Sequence, residues 1–399
     1  MKKLLVLAIV IRLLLMPFFF HPDIKTYNFQ SSFLKKGVID IYSYLIEKRE
    51  SLPLKEEFVY FPLTYFFLGG YQIAASPLLG SNFSNWLADA SGRATEDPGT
   101  FRYLFLLKLP YLVFDILIAY LLMQFFKDKK DKKAVFTLWL FNPFTLILIY
   151  IFSNIDIIPV FLVLLSLLAM KKKKTVRASV FLALATGFKA YPVLFFPFLL
   201  VKADKFKDRV LGLSAFILTL GLIILPFWSP AFSSSSFASG LTTRILEAGI
   251  SISGGEKILI VPLALLALFI YFLYSKKKLG LWKYCLAVVL IVIPLIHFHI
   301  QWLLWMAPFF AILWVKEKKL SWLLVLTAIS AFAVPFLYND KFMSVSLLSP
   351  VSIWFNLVPT PFSIIQRLAD PYIIQGLIHS IFAGGSFALI WQILKGYKE

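Results

Sequence analysis

Charge is scarce in this chain. Asp, Glu, Lys and Arg together make 15% of 399 residues, against roughly 25% in soluble proteins. Cysteine is nearly absent: Cys285 stands alone inside an apolar segment, so no disulfide can form within the chain and redox chemistry does not report a compartment. Histidine is rare, with four residues. There is no glycine-rich phosphate loop, no Walker pattern and no Ser-His-Asp order. These shortages exclude a soluble enzyme, a disulfide scaffold and a soluble nucleotide-binding domain. What fills the chain instead is apolar: 60% of residues are hydrophobic. They run in blocks of about 15–24, the length that crosses a hydrocarbon core of about 30 Å. The expected fold is all-α: one polytopic integral membrane domain over residues 1–399, with about 12 transmembrane helices, some short or broken.

The net charge of +19 resembles a nucleic-acid signal, but its distribution argues against one. Basic residues cluster in short linkers between apolar blocks, at 2–3, 127–133, 171–177, 202–209, 276–283, 316–319 and at Lys395 and Lys398. With the acids that share them, these clusters account for the whole +19. Short basic linkers on one face are what the positive-inside rule predicts. Placing them in the cytoplasm orders the chain with both termini inside. Residues 4–20 then form an uncleaved first span rather than a signal peptide. Long outer segments fall at 21–102, 229–256 and 338–373. The apolar stretch 59–79 breaks this alternation. Its Pro62, Gly69, Gly70 and Pro77 favour helices lying in or dipping into the outer leaflet. Long outer loops and short inner ones place the chemistry on the extracytoplasmic face, and the expected location is a prokaryotic plasma membrane. No repeat relates the two halves, which counts against a secondary transporter.

Ionisable residues inside spans are costly and mark function or pairing. Arg12, Lys108 and Asp115 are read as structural charges, with Asp115 paired to Arg12 or to Lys108. Asp23 follows the first span in His21-Pro22-Asp23. It is either a loop acid or cap, or a general base at the membrane edge. Asp156 either caps the helix that follows or orients a substrate. Lys189, at the apex of the short pair 176–188 and 190–201, either snorkels to water or attracts a phosphate. His297 and His299 stand two apart and are poor co-ligands on a helix. With His21 and His379 remote in sequence, no metal site is expected. No cofactor is expected either.

Several strings taken in order resemble the GT-C superfamily of polytopic glycosyltransferases that use polyprenyl-phosphate sugars. The nearest likeness is to bacterial and archaeal mannosyltransferase-like branches and to GPI mannosyltransferase I. The strings are Arg12 to Tyr27, Gly37 to Tyr42, Tyr60-Phe61-Pro62-Leu63, Lys108 to Asp115, Asn142-Pro143 through Asp156 to Pro159, Lys189-Ala190-Tyr191-Pro192, and His297 to Pro308. The resemblance implies that Asp23 is the catalytic base of an inverting transfer. It implies a hexose, mannose favoured, moving from a polyprenyl-phosphate donor to a hydroxyl of a lipid, glycan or protein acceptor. Lys189, His297, His299 and Arg102 are then candidates for the donor phosphate. Tyr27, Tyr60, Asp156 and Tyr191 are candidates for substrate contact. Position 25 is Lys where many relatives carry a second acid, and the next acid is Asp40. A lipid or solute transporter or flippase is the alternative, and a non-catalytic membrane scaffold a third.

Overall fold

In the computed structural model, residues 1–237, 240–277 and 279–396 are described. Lys278, Lys398 and Glu399 of the basic linkers, and residues 238–239 of the second outer segment, lie outside the described residues. About 75% of the chain is helical, and the protein is an all-α membrane protein.

The main helices are α1 (Lys2–Leu15), α2 (Pro22–Ser32), α3 (Pro62–Ala74), α4 (Thr100–Met123), α5 (Lys129–Phe141), α6 (Ile157–Lys171), α7 (Thr175–Phe188) and α8 (Phe206–Ile224). They continue as α9 (Ile260–Tyr274), α10 (Leu281–Val292), α11 (Ala307–Lys316), α12 (Ser321–Phe336) and α13 (Pro371–Lys395). A small antiparallel hairpin, Gly249–Ser251 with Lys257–Leu259, precedes α9. Helices α6, α7 and α8 pack in sequence, α4 packs on α5 and α6, and α12 packs on α13.

About twelve transmembrane helices, some short or broken, were expected. By length and apolarity, four helices among the described residues qualify: Thr100–Met123, Phe206–Phe227, Lys318–Phe336 and Pro371–Lys395. A fifth is reached by counting Lys129–Phe141 and Pro143–Ile151 as one span bent by 44°. The physical reason is that proline and polar breaks cut the apolar runs. Asn142-Pro143 turns the chain by capping a new helix, with Asn142 Oδ1 accepting from the Phe144 N–H at 3.0 Å. Pro192, Pro294 and Pro308 start new short helices in the same way. The 15 residues of α6 cover only about 22 Å. The ambiguous stretch 59–79 is likewise two short helices, α3 and Ser76–Leu79, meeting at Ala75. Helix α3 lies against α2. A Cβ built on Gly69 would stand 2.6 Å from the Ser31 carbonyl oxygen, so only glycine permits that approach.

The buried charges of the first spans lock them together. Arg12 and Asp115 are both fully buried, and Arg12 Nε donates to Asp115 Oδ2 at 2.5 Å. Trp139 Nε1 and the Tyr150 hydroxyl donate to the same carboxylate, each at 2.7 Å. The carboxylate thus ties α1, α4, α5 and the π-helical turn Ile147–Ile151 at one point. Lys108 is not part of this cluster: its ammonium donates to the Phe19 carbonyl at 2.5 Å.

The basic linkers gather at one end of the bundle. Lys127, Lys171, Lys202, Lys205 and Lys316 line a single cavity there. Helix α6 runs from Ile157 to Lys171, so Asp156 and its neighbours lie at the opposite end.

Candidate functional site

Four irregular segments meet at that opposite end, and each breaks a helix for a local reason. His21 precedes α2, where Pro22 opens the first turn and the His21 Nδ1 accepts from the Asp23 N–H at 3.3 Å. Between the π-turn and α6, Ser153 adopts φ 58°. That left-handed conformation costs a residue with a Cβ roughly 1–2 kcal/mol. It is held by the Tyr27 hydroxyl, which donates to the Ser153 carbonyl at 2.5 Å. Between α7 and the 3-10 turn Tyr191–Phe195, Lys189 is extended. The fourth segment is the 3-10 helix Ile300–Trp305, led by His299.

The core of the site is a buried ion pair. Lys189 Nζ donates to both oxygens of Asp156, at 2.8 and 2.7 Å. Trp305 Nε1 adds a third bond to Asp156 Oδ2 at 2.7 Å. The ammonium also lies 5.4 Å from the ring centres of Tyr60 and Trp305, where ring quadrupoles favour a cation. Asn154 holds the turn: its Oδ1 accepts from the Asp156 N–H, and its Nδ2 donates to the Gln301 carbonyl, both at 2.8 Å.

This geometry corrects several expectations. Lys189 is not a free cation waiting for a phosphate, because a buried carboxylate neutralises it. Asp156 stands at the N-cap of α6 but makes no side-chain cap bond, since Lys189 and Trp305 take its oxygens. Arg102 is held elsewhere, with Nη2 donating to the Leu79 carbonyl at 3.1 Å and the guanidinium over the Tyr103 ring. Tyr60 and Tyr191 are in the site, Tyr191 stacked on Trp305 at 4.0 Å between ring centres. Tyr27 packs edge-on against Tyr60, and its hydroxyl is spent on Ser153. Lys25 turns away to the Asp89 carbonyl, and Asp40 caps the helix Ile41–Lys48. Neither joins Asp23.

Asp23 reaches the same end from α2, and 38% of its side-chain surface remains open. Gln301 Nε2 donates to its Oδ2. Burial pushes its carboxyl pKa up, but His21, His299, the Gln301 bond and Lys189 outweigh this and hold it below the usual carboxylate value. Burial presses the His299 imidazole pKa down to about 4, against the pull of Asp23, so it is neutral at pH 7. His21 was set aside as remote in sequence, yet its ring centre is 5.6 Å from that of His299. The distance in sequence that argued against a metal is not a distance in space.

Two cavities flank this cluster. One, of about 230 Å³, is apolar and aromatic, with Phe61, Lys189, Tyr191, Phe237, Trp302 and Trp305 on its walls. The other, of about 480 Å³, is more polar and is lined by Arg244, His297, His299, Tyr338 and Asp340. Arg244 lies over the Trp302 ring and donates from Nη1 to the His297 carbonyl at 3.1 Å. His297 leans on Tyr338, 4.8 Å between ring centres. The sequence reading missed His21, Asn154, Arg244, Gln301 and Trp305. Only His21 and Arg244 carried a signal, as rare charged or titratable residues in outer segments.

Residues 54–238 match the model of a family described as GPI transamidase subunit PIG-U. The match covers somewhat less than half of the chain. It includes α3, the Asn154–Asp156 turn, Lys189 and the near wall of the aromatic cavity. No curated protein matches the chain. The family match overturns the resemblance to GT-C glycosyltransferases, and with it the reading of a mannosyltransferase fed by a polyprenyl-phosphate sugar. Lipid and protein partners are compatible with the match, whereas a sugar donor has no support in it.

Proposed function

We propose that the chain is a substrate-holding subunit of a membrane assembly of the GPI transamidase kind, and that its two-part pocket receives the headgroup of a glycolipid. The observation that carries this reading is an aromatic wall beside a neutralised ion pair: Asp156, Lys189 and Tyr191 lie within the matched segment, and Trp302, Trp305 and Arg244 lie beyond it. Tyr191, Trp305 and Trp302 stack on one another, with Arg244 over Trp302, so the stack offers a sugar its ring edges. Arg244, whose guanidinium stands at the polar cavity, offers a fork of N–H donors to a phosphate. Asp156 and Lys189 then hold the wall in place rather than react. Acyl transfer needs an activated nucleophile. Cys285, the sole cysteine, is fully buried in apolar packing and cannot serve, which suits a subunit that presents substrate to chemistry carried by another chain.

The basic end faces the cytoplasm on charge grounds, so the pocket opens on the opposite face. His297 and His299 line the polar part as headgroup contacts, and Asp23 stands beside His299. Nothing in the family match favours a prokaryotic plasma membrane.

The test is native mass spectrometry of the protein in lipid nanodiscs, with a glycosylphosphatidylinositol and with phosphatidylinositol alone. The glycolipid is expected to be retained preferentially. Trp305→Ala and Arg244→Gln should each weaken retention about tenfold, the loss of roughly 1.4 kcal/mol. Equal retention of both lipids, or no effect of either substitution, refutes the pocket. Incubation with radiolabelled polyprenyl-phosphate mannose should move no label to a lipid acceptor. Movement of label would restore the transferase.

A further inference from the structure

We propose that His21, Asp23 and His299 form a binding site for one divalent transition cation of the zinc class at the rim of this pocket. The proposal stands apart from the glycolipid reading and does not need it. Ligand atoms of the three residues all lie within 4.8 Å of one another. His21 Nδ1 is 3.6 Å from Asp23 Oδ1, and His299 Nε2 is 3.9 Å from Asp23 Oδ2. A tetrahedral ion with bonds of about 2.0–2.1 Å sets its ligand atoms roughly 3.3 Å apart. The two measured edges end on different oxygens of Asp23 and exceed this by about 0.3 and 0.6 Å, so ligation requires a small rotation of the side chains.

The donor set, two imidazoles and a carboxylate, suits zinc-class ions, and three protein ligands leave one position open. That position faces outward: Asp23 keeps 38% and His299 28% of its side-chain surface exposed. The competing interactions are weak. The contact from the Asp23 N–H to His21 Nδ1 is 3.3 Å, and that from the Gln301 N–H to His299 Nδ1 is 3.5 Å. Ligation would forfeit little by displacing the first. It would place the proton of His299 on Nδ1 at the cost of the second. Neutral His21 accepts at Nδ1 and so carries its proton on the buried Nε2, which is the tautomer that ligation through Nδ1 needs. Gln301 is the outer support, orienting the carboxylate as such partners do around bound metals. The neighbouring cation, Lys189, is paired with Asp156, which reduces its repulsion of an incoming ion. This separates the site from an accidental group of surface acids: two of its three ligands, His21 and His299, are helix N-caps far apart in the chain that packing brings together.

The test uses the whole chain in nanodiscs, stripped with a chelator and dialysed. Zn²⁺ is titrated in competition with a chromogenic chelator. One tight equivalent per chain is expected, and at least about 100-fold weaker binding in His21→Gln and in His299→Gln. His379→Gln, outside the cluster, should match wild type. X-ray absorption of the zinc-loaded wild type should count two imidazoles with oxygen completing the shell, which keeps the test independent of how the variants fold. Absence of a stoichiometric equivalent in wild type overturns the proposal. So does unchanged affinity in the His21→Gln/His299→Gln double variant, or a shell with fewer than two imidazoles.

Discussion

Removing one partner of the Lys189–Asp156 pair should cost far more than removing both. The two bonds of 2.7 and 2.8 Å correspond to a gross attraction of about 6 kcal/mol at an effective permittivity near 20. Desolvation of both ions offsets much of that, so the net worth of the pair is small. Breaking it is different, because the survivor stays buried: the Asp156 side chain is fully enclosed and that of Lys189 is 10% exposed. Each single substitution should therefore cost about 3–5 kcal/mol. The order is set by what remains. Lys189→Met leaves a carboxylate with only Trp305 Nε1 as donor, and falls at the upper end. Asp156→Asn leaves the ammonium an amide oxygen and two ring faces, and falls at the lower end. The double variant Lys189→Met/Asp156→Asn carries no uncompensated charge. It should cost at least ~2 kcal/mol less than the sum of the singles. Equilibrium unfolding in mixed lauryl sulfate micelles, followed by far-UV circular dichroism, measures all four proteins. Singles below ~1 kcal/mol that simply add would refute the reasoning, because the pair would then be solvated.

The Arg12–Asp115 cluster predicts the same pattern at the other buried charge: Arg12→Met should destabilise by ~3–5 kcal/mol, with partial rescue by Asp115→Asn, read in the same unfolding assay. Gly69→Ala places a methyl against the Ser31 carbonyl, so α3 must lift from α2. A loss of about 1–3 kcal/mol is expected, and none would mean the helices are not so close. The pH dependence has a definite sign. His299 titrates at about 4 in the fold and near 6.5 when unfolded. Above pH 6.5 both states are neutral and it contributes nothing. As pH falls from 6.5 toward 4 the unfolded chain binds the proton first, and stability drops by up to about 3 kcal/mol. His299→Gln should flatten that part of a melting-temperature profile, and an unchanged profile would show that His299 is not held neutral.

The parts of this molecule legible in the sequence are those that depend on one segment at a time. Apolar runs and basic linkers identified a helical membrane protein and gathered the linkers at one end, because burial and charge asymmetry act along the chain. The Arg12–Asp115 pair was legible as one of two options, because two costly charges in neighbouring spans need each other. The site was legible only as a collection. Asp23, Tyr60, Asp156, Lys189, Tyr191 and His299 were each singled out, and the fold brings them to one end. Their contacts were not legible, because a residue's partner cannot be seen from its own string. Lys189 and Asp156 were each weighed as ligand contacts, although 33 residues apart they neutralise each other. His21 was dismissed for its distance from His299 along the chain. Both contacts form where the helix pattern fails: Ser153 in a left-handed turn, Lys189 extended between two short arms, and Ile300–Trp305 wound as a 3-10 helix. Hydropathy marks the first two as turns between spans and reads most of the third as span, but it does not show what they pack against. Their backbone conformation is fixed by contacts made across the bundle, such as the Tyr27 bond to Ser153 and the Asn154 bond to Gln301. A site built from such breaks is specified by packing between segments, which is the part of the fold that a linear pattern does not carry.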